Sequence, residues 1–534
     1  MARTPFMRQL KAAASIAKEA SARHVEIDQV IAERLEKGIS RREFLQHSLL
    51  TAAALAVPPT IWSLGSQTVN AATAPRIVVV GAGLAGLACT YRLKQAGYTA
   101  QLYEASNRVG GRCWSIRNHF ADGQVAEHGG ELIDTDHTAL IELAAELGLE
   151  LDDLLAAEKK GHEPFFYFNQ TTYPFRKAAQ MFRQIWDKLQ ADVDDADYPT
   201  LYNSYTPRGY QLDHMSILDW IDESVPGGRK SQFGKLLDVA YNIEYGGESS
   251  DQSALNLLYL LGDSEKNRFE LFGASDERYH IRGGNDQVPA RLAEKLKDQI
   301  HTGTPLAAIR KNSDGTYRLS FDKGSGTKDV TADLVVLAIP FSILRHLDIG
   351  KAGFRPLKMT AIQEYGMGTN TKLAVQFTDR HWEALHCNGL TYSDTGYQST
   401  WEVTRAQPGK SGILVDFTGG DIGKSFNRGD TQTRAKEFLG QIEPVLPGLT
   451  AKWNGKATLD YWTGYRWTQG SYSYYRVGQY TKFAGIEGEP EGDCHFAGEH
   501  TSIDYQGYLN GAVETGERAA RELLSKLKAA VGSR

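Results

Sequence analysis

Three glycines and one acid near the start of the chain have the types and spacing that hold a dinucleotide. Gly81, Gly83 and Gly86 form a GxGxxG pattern, and Glu104 follows 18 residues after Gly86. Gly81 would allow a tight turn, Gly83 would let a pyrophosphate approach the backbone, and Gly86 would let a helix pack closely on a strand. An acid at the distance of Glu104 is placed to accept hydrogen bonds from the adenosine ribose.

The elements around these residues are those that such a site needs. The apolar run Ile77–Val80 predicts a buried parallel strand, and a helix is predicted from Leu84 to about Ala96. The helix would direct its N-terminal amides and positive dipole end at the phosphates. A second strand would end at Glu104. A GxGxxG pattern alone is weak evidence, but strand, helix and acid in register predict a dinucleotide-binding unit.

The residues that follow distinguish between dinucleotides. Positions 105–112 read ASNRVGGR, and Gly129-Gly130-Glu131 follows. This resembles the flavin amine oxidase family, whose pattern is E-A-x-x-R-x-G-G-R followed by a further Gly-Gly. The resemblance implies FAD, with Arg108 and Arg112 neutralising the pyrophosphate beside the isoalloxazine; the alternative is a pair of solvated loop arginines. The cofactor contacts that it implies in this part of the chain are Glu104, Ala105, Arg108, Gly111, Arg112, Gly129, Gly130 and Glu131.

A second motif lies near the C-terminus. Residues 496–501 read FAGEHT and resemble the family's F-A-G-E-x-T. The resemblance implies that Gly498 lets the backbone approach the ribityl chain and that Glu499 accepts hydrogen bonds from the cofactor. Tyr508 and Leu509 complete the implied cofactor contacts. A helix over Gly511–Leu524 would direct its N-terminus at the flavin and favour the anionic reduced form.

Two tyrosines occupy the motif positions at which monoamine oxidases place aromatic rings on either side of the amine. They are Tyr472 and Tyr508, and by this resemblance they bind and orient a neutral amine in a narrow, desolvated slot. The alternative is that both tyrosines pack in the core. Ser471 stands where the mitochondrial monoamine oxidases carry a cysteine bound to the flavin. A serine cannot form that thioether, so we expect FAD to be non-covalent.

Lys372 matches the family lysine that holds a water against flavin N5, where its charge would assist oxygen reduction. It begins an otherwise apolar stretch, and the alternative is an edge-strand lysine that faces water. Trp382 and Trp401 are candidates to line the same cavity, but core packing is the expectation for both.

The substrate is left open between amines and L-amino acids. In the best-studied L-amino acid oxidases, an arginine clamps the substrate carboxylate at the position that aligns with Glu131, and a tyrosine aligns with Phe417. We therefore expect the familiar clamp to be absent, with Phe417 contacting substrate and Glu131 contacting the cofactor or attracting a second amine. The alternative is a different clamping arginine, for which the candidates are Arg278, Arg282 and Arg466.

The predicted fold is α/β: a Rossmann-like FAD-binding domain interleaved with a second α+β substrate-binding domain. The predicted segments are 75–130, 279–345 and 460–530 for the first domain and 131–278 and 346–459 for the second. Between these, Leu140–Leu154 has helical periodicity, and Asp194–Gln211 reads as a long polar loop.

Composition and cysteine spacing argue against nucleic acid as a partner and against a bound metal. A net charge of −6 and the absence of a long basic block argue against nucleic acid as a partner. The four cysteines are scattered, and no cluster has metal-ligand spacing, so no metal is expected. Residues 1–71 read as a leader: Ser40–Leu45 resembles a twin-arginine export signal, followed by an apolar run too short for a permanent membrane anchor. We expect a periplasmic or secreted protein; the oligomeric state stays open, a homodimer included.

These features together predict an FAD-dependent oxidase of the amine C–N bond. The products would be an imine, which hydrolyses to ammonia and an aldehyde or 2-oxo acid, and hydrogen peroxide from O2. Two alternatives stay open: an FAD oxidoreductase of the carotenoid-desaturase kind, and a flavoprotein without catalytic activity.

Overall fold

The computed structural model describes residues 75–322, 324 and 326–532. In chain order, the strands are β1 (Ile77–Val80), β2 (Ala100–Tyr103), β3 (Ser115–Ile116), β4 (Ala126–Glu127), β5 (Leu151–Asp153), β6 (Glu163–Phe168), β7 (Thr171–Tyr173), β8 (Tyr279–Ile281), β9 (Ile300–His301), β10 (Leu306–Lys311), β11 (Tyr317–Asp322), β12 (Thr327–Ala332), β13 (Leu334–Leu337), β14 (Asp348–Lys351), β15 (Gly366–Met367), β16 (Thr371–Phe377), β17 (Cys387–Ser393), β18 (Ser399–Glu402), β19 (Gly412–Thr418), β20 (Trp453–Tyr461), β21 (Ser473–Tyr474) and β22 (Cys494–Phe496).

The helices are α1 (Leu84–Gln95), α2 (Thr138–Glu146), α3 (Leu154–Ala157), α4 (Phe175–Ala196), α5 (Pro207–Asp213), α6 (Ile217–Ser224), α7 (Gln232–Tyr245), α8 (Ala254–Leu261), α9 (Gln287–Leu296), α10 (Phe341–Leu344), α11 (Pro356–Glu364), α12 (His381–Ala384), α13 (Gly420–Ser425), α14 (Thr431–Ile442), α15 (Gln479–Phe483) and α16 (Leu509–Gly532).

The dinucleotide motif lies on a five-stranded sheet with the order β22-β13-β1-β2-β9. Every pairing in this sheet is parallel. The central strand β1 and its neighbour β13 are buried along their whole length, as expected for a sheet covered on both faces. Helices α1 and α16 pack against each other without intervening side chains, because a Cβ on Gly516 would lie 2.2 Å from the carbonyl oxygen of Ala85.

The second large sheet has seven strands in the order β20-β16-β19-β18-β17-β6-β7. Its pairings are antiparallel except that between β17 and β6. Helices α4 to α8 supply most of a separate apolar core, to which Phe166 and Tyr392 of this sheet belong. The predicted α/β class is therefore confirmed, while the domain boundaries stay a prediction.

Two predictions of local structure are wrong. The periodic stretch Leu140–Leu154 is not one helix: α2 ends at Glu146, and β5 then pairs with β8. Gly148, at φ +69°, turns the chain where the helix would have continued. The predicted loop over Asp194–Gln211 also contains the start of α5, whose N-cap Thr206 accepts a hydrogen bond from the backbone N–H of Gly209.

All four cysteines are free thiols and buried. Within the described ranges, no helix combines the length and the apolar character needed to cross a bilayer. The leader with its arginine pair lies outside the described residues, and export stays a prediction.

Candidate functional site

A single long cavity connects the glycine turn after β1 with the inner face of the seven-stranded sheet. Its lining includes most of the predicted site residues: Gly81, Gly83, Glu104, Ala105, Gly111, Arg112, Gly129, Gly130, Glu131, Lys372, Phe417, Tyr472, Gly498, Glu499, Tyr508 and Leu509. Two predicted residues, Gly86 and Arg108, are not part of that lining.

Each of the three glycines in the turn has a different geometric role. Gly81 has φ +100°, and its backbone N–H donates to the carbonyl of Tyr103. A Cβ on Gly86 would lie 1.9 Å from the carbonyl oxygen of Gly81, so only glycine allows α1 to pack there. Gly83 is the opposite case, because a Cβ would meet no heavy atom within 4 Å. The room beside Gly83 belongs to the cavity and is available to a phosphate.

Glu104 organises the loops of the nucleotide end before any ligand binds. Its Oε2 accepts a hydrogen bond from the backbone N–H of Ala82 at 2.7 Å, and its Oε1 accepts one from the N–H of Ser106 at 2.8 Å. Each carboxylate oxygen has a second lone pair. Glu104 therefore fixes the two loops and still has acceptor capacity towards the cavity.

The two motif arginines have different surroundings. Arg108 donates to the carbonyls of Val109 and Gly111, and its guanidinium lies 4.1 Å from the ring centroid of Trp114. Arg108 therefore stabilises the Gly110-Gly111 turn through its hydrogen bonds. Of the two arginines, only Arg112 lines the cavity.

Arg112 forms an ion pair with Glu499 of the C-terminal motif, with an N–O distance of 2.8 Å. The other oxygen of Glu499 accepts hydrogen bonds from the Ser473 hydroxyl and the Gly507 N–H. Burial would raise the pKa of Glu499, but the positive charge of Arg112 and the hydrogen bonds from Arg112 and Ser473 contribute to a net lowering of the pKa. The ion pair joins the N-terminal and C-terminal motifs.

The second glycine pair packs against both motifs. A Cβ on Gly129 would lie 2.0 Å from the carbonyl oxygen of Arg112, and one on Gly130 would lie 2.6 Å from Leu509 Cδ2. Gly498 has φ +128°, which also favours glycine. These glycines let three chain segments meet around the middle of the cavity.

One row across the seven-stranded sheet forms the wall at the other end of the cavity. Lys372 lies directly opposite Phe417, Phe417 opposite Ser399, and Ser399 opposite Tyr392. Directly opposite residues share a face of a sheet, and all four line the cavity. The predicted residues Lys372 and Phe417 are therefore neighbours, although they are 45 positions apart in the sequence.

Lys372 is not an edge-strand lysine. β16 lies between β19 and β20, and Lys372 is only 4% exposed. Its ammonium donates to Glu131 Oε2 at 2.6 Å and to the carbonyl of Gly129 at 3.1 Å. The indole N–H of Trp401 donates to the other oxygen of Glu131. The charge of Glu131 is thus balanced by Lys372, and Trp401, which was expected in the core, lines the cavity.

Tyr472 and Tyr508 both line this end of the cavity. The Tyr472 hydroxyl donates to the carbonyl of Ile243, and that of Tyr508 to Glu244 Oε1 at 3.2 Å. Burial raises the pKa of both phenols well above the usual value, and the charge of Glu244 raises it further. Both rings therefore stay neutral and have their hydroxyls held by the protein.

Sequence reasoning missed the two carboxylates at this end, Glu244 and Glu277. Glu244 lies in the last turn of α7, and Glu277 lies two residues before β8. Neither is part of a motif, and no local pattern marks an acid that faces a cavity.

The three arginines proposed as substitute carboxylate clamps lie elsewhere. Arg278 pairs with Asp153, and Arg282 pairs with Glu150 and Asp152. Arg466 is exposed and lies over the ring of Trp467. None of the three lines the cavity.

One group of side chains in the described ranges has the proximity that a metal would need, namely Asp134, Asp136 and His137. Asp134 Oδ1 already accepts a hydrogen bond from the backbone N–H of Glu277, and His137 Nδ1 accepts one from the N–H of Asp134. The group therefore supports the loop that carries Glu277.

The cavity fits an extended dinucleotide. It offers an open glycine turn and an acid at one end and an aromatic and polar wall at the other, with Arg112 between them. Most of the residues predicted to hold the flavin line this cavity, whereas Gly86 and Arg108 lie outside the lining and support the two glycine turns.

Comparison with known proteins identifies the family. The flavin containing amine oxidoreductase family matches residues 84–524. Amine oxidase [flavin-containing] A of Bos taurus is 25% identical over 483 residues, covering 84% of this chain and 85% of the relative. The putative L-amino-acid oxidase YobN of Bacillus subtilis (strain 168) is 25% identical over 471 residues, covering 84% of this chain and 94% of the relative.

Two solved structures show the same fold. Cyclohexylamine oxidase from Brevibacterium oxydans IH-35A superimposes with a TM-score of 0.73 at 22% identity, covering 85% of this chain and 100% of that one. Putrescine oxidase bound to putrescine superimposes with a TM-score of 0.70 at 21% identity, covering 84% and 99%. The family match over most of the chain and the shared fold lead to one conclusion: the protein belongs to the flavin-containing amine oxidoreductases.

Proposed function

We propose that the protein is an oxidase of amines that lack a carboxylate, with non-covalent FAD as cofactor and O2 as oxidant. The amine would be oxidised to an imine, which water hydrolyses to an aldehyde and ammonia, while O2 is reduced to hydrogen peroxide. One observation favours amines over amino acids: the positively charged side chains that line the cavity are already paired with carboxylates.

Among the described residues, Arg112 and Lys372 are the basic side chains that line the cavity. Arg112 is paired with Glu499 at 2.8 Å and Lys372 with Glu131 at 2.6 Å. An amino-acid carboxylate would thus find no free cation, and it would lose its hydration without compensation. An uncharged amine has no such cost.

The aromatic end of the cavity would bind and orient the amine. The rings of Tyr472 and Tyr508 would hold it, and their hydroxyls are fixed by Ile243 and Glu244. Positioning of this kind contributes to rate because it removes the entropy cost of alignment. The bound flavin supplies the acceptor for the hydride that leaves the amine carbon.

Two further contacts support the proposal. Ser471 stands at the position of the flavin-linked cysteine in mitochondrial enzymes. Its hydroxyl donates a hydrogen bond to Asn370 Oδ1 at 2.6 Å, which supports non-covalent binding of the cofactor. Lys372, held by Glu131 and Gly129, would be a fixed hydrogen-bond donor at the site of oxygen reduction.

The test compares amines with the amino acids from which they derive by loss of the carboxylate. Tyramine and L-tyrosine, isoamylamine and L-leucine, and cadaverine and L-lysine form three such pairs. We expect anaerobic bleaching of the flavin and peroxide release with the amine of at least one pair and with none of the amino acids. Oxidation of an amino acid in preference to its amine would overturn the proposal. A wild-type flavin that no amine reduces would do so as well.

Export by the twin-arginine route, argued from residues 40–71, is part of the proposal. Fractionation of producing cells tests it: replacing Arg41 and Arg42 by lysine should hold the protein in the cytoplasm, with its flavin bound.

A further inference from the structure

Two carboxylates face the end of the cavity at which the amine would bind, and one of them has no partner. Glu277 lines the cavity, and its carboxylate has no hydrogen bond or salt bridge among the described residues. Every other acid in that lining is in contact with a donor group: Glu104, Glu131, Glu244 and Glu499.

The backbone at Glu277 is held in an unfavourable conformation that fixes this side chain. Its φ is +48°, in the left-handed region, which costs a residue other than glycine about 1 kcal/mol or more. The backbone N–H donates to Asp134 Oδ1 at 2.9 Å, and Asp134 is 3% exposed. Strain that is kept by a buried partner at a cavity indicates a functional constraint on where the side chain points.

The charge around Glu277 is unbalanced. Four charged side chains act on it, three that repel it and one that attracts it: Asp134, Glu244, Glu131 and Arg405. The attracting Arg405 is bound to Glu158 at 2.8 Å. Burial, with the nearby negative charges, raises the pKa of Glu277 to about 8. Among the described residues, the one cation that attracts Glu277 is therefore already paired with another carboxylate.

Glu244 brings a second carboxylate to the same place. It lies in the last turn of α7, where the helix dipole disfavours a negative charge. The Tyr508 hydroxyl donates a hydrogen bond to Glu244. This carboxylate therefore lies at the hydroxyl end of the ring that would contact the amine. Burial raises the pKa of the Tyr392 phenol in the cavity wall, and the charges of Glu277 and Glu244 both raise it further. The two carboxylates therefore lie near one another.

We propose that Glu277, assisted by Glu244, binds the second ammonium group of an α,ω-diamine whose other, neutral nitrogen lies between Tyr472 and Tyr508. This inference rests on the proposed amine oxidase function and names its substrate class. The distal ammonium supplies the missing counter-charge, and at a pKa of about 10.4 a lysine-like alkylammonium stays charged at neutral pH. Monoamines would bind in the same slot without that contact.

The experiment compares cadaverine, a diamine, with pentylamine, a monoamine with the same number of carbons. Wild-type enzyme should show a higher kcat/KM for cadaverine. Glu277→Gln should lower kcat/KM for cadaverine about tenfold or more, because a hydrogen bond to a charged group is lost. It should leave kcat/KM for pentylamine unchanged within about twofold. The loss should fall on KM rather than on the rate of flavin reduction at saturation.

Glu294→Gln is the matched control, because Glu294 is exposed on α9 and does not line the cavity. Flavin content and melting temperature show whether each variant is folded. Glu244→Gln provides a second variant, in which the loss of kcat/KM should be larger for cadaverine than for pentylamine.

The pH dependence gives an independent readout. Since Glu277 must be ionised to bind a cation, the ratio of kcat/KM for cadaverine to that for pentylamine should rise as pH passes upward through about 8. The rise should be absent in Glu277→Gln.

The outcomes separate the two proposals. If wild-type enzyme oxidises both amines equally well, or if Glu277→Gln slows both by the same factor, the diamine inference is wrong while amine oxidation stands. If neither of these two amines reduces the wild-type flavin, the diamine inference is wrong; the proposed function itself is wrong only if tyramine and isoamylamine also fail to reduce it.

Discussion

The ion pair between Lys372 and Glu131 should couple strongly in a double-mutant cycle. The cycle compares Lys372→Met, Glu131→Gln and the double variant with the wild type. The side chains of Lys372 and Glu131 are only 5% and 6% exposed, and their charged atoms are 2.6 Å apart. Removing one partner therefore leaves the other charge largely buried.

The expected magnitude follows from this geometry. Coulomb's law at 2.6 Å with an effective dielectric constant of 20 gives an attraction of about 6 kcal/mol. That attraction offsets a desolvation cost of several kcal/mol for each ion. Lys372→Met keeps the cost for Glu131 and removes the attraction, so we expect it to lower the free energy of unfolding by about 3–5 kcal/mol. The double variant should lose clearly less than the sum of the single variants.

Urea denaturation at one fixed FAD concentration measures these values, because bound cofactor itself adds stability. The surface pair Lys159–Glu383 is the matched control: its charged atoms are also 2.6 Å apart, but Lys159 is 62% exposed. Its coupling should not exceed about 1 kcal/mol. Additive losses at Lys372 and Glu131, within about 0.5 kcal/mol, would refute the reasoning from burial.

Three further outcomes are expected at the cofactor and amine sites. Gly83→Ala should fold normally but weaken FAD binding by at least about tenfold, because the added methyl group enters open cavity space. Gly86→Ala should lower the melting temperature, because the added methyl group collides with the carbonyl oxygen of Gly81 at a cost of about 1–3 kcal/mol. Fluorescence titration with FAD and calorimetry separate the two, and equal behaviour would contradict the roles given to these glycines. Tyr508→Ala should slow anaerobic flavin reduction by about a hundredfold through misplacement of the amine, whereas Tyr508→Phe should keep most of the rate; unchanged reduction in Tyr508→Ala would rule out the aromatic slot. Acid precipitation of the wild type should leave all flavin in the supernatant, since Ser471 forms no thioether, and flavin retained in the pellet would show a covalent bond.

Local geometry explains why the nucleotide end was predictable. The strand Ile77–Val80 appears in the structure with the predicted bounds, and α1 ends at Gln95, one residue before the predicted end. The steric limit at Gly86 is set by the carbonyl oxygen of Gly81, five positions away, so a local sequence pattern can report it; the limit at Gly81 is set by Ala338, which no local pattern reports. The C-terminal helix, predicted over Gly511–Leu524 after the second motif, extends from Leu509 to Gly532.

The substrate end depends on contacts between distant residues. The partner of Lys372 is Glu131, 241 positions away, and no periodicity reports that pairing. Phe417 faces the cavity through sheet register, which brings Tyr392 and Ser399 beside it. Glu277 is positioned by a left-handed backbone that its residue type does not predict. The sequence therefore located the flavin more reliably than the groups that choose the substrate.

The order of strands in the parallel sheet determines when the protein can acquire its cofactor. β1 and β2 are made first, but β1 pairs with β13, and β13 pairs with β22, which ends at residue 496. The contact of Gly516 with Ala85 then brings the last helix onto the first. A nascent chain therefore carries an incomplete sheet with an exposed apolar edge until synthesis is almost finished, a state that favours aggregation. Flavin binding therefore requires the completed chain, because the strand and helix that complete the sheet are synthesised last.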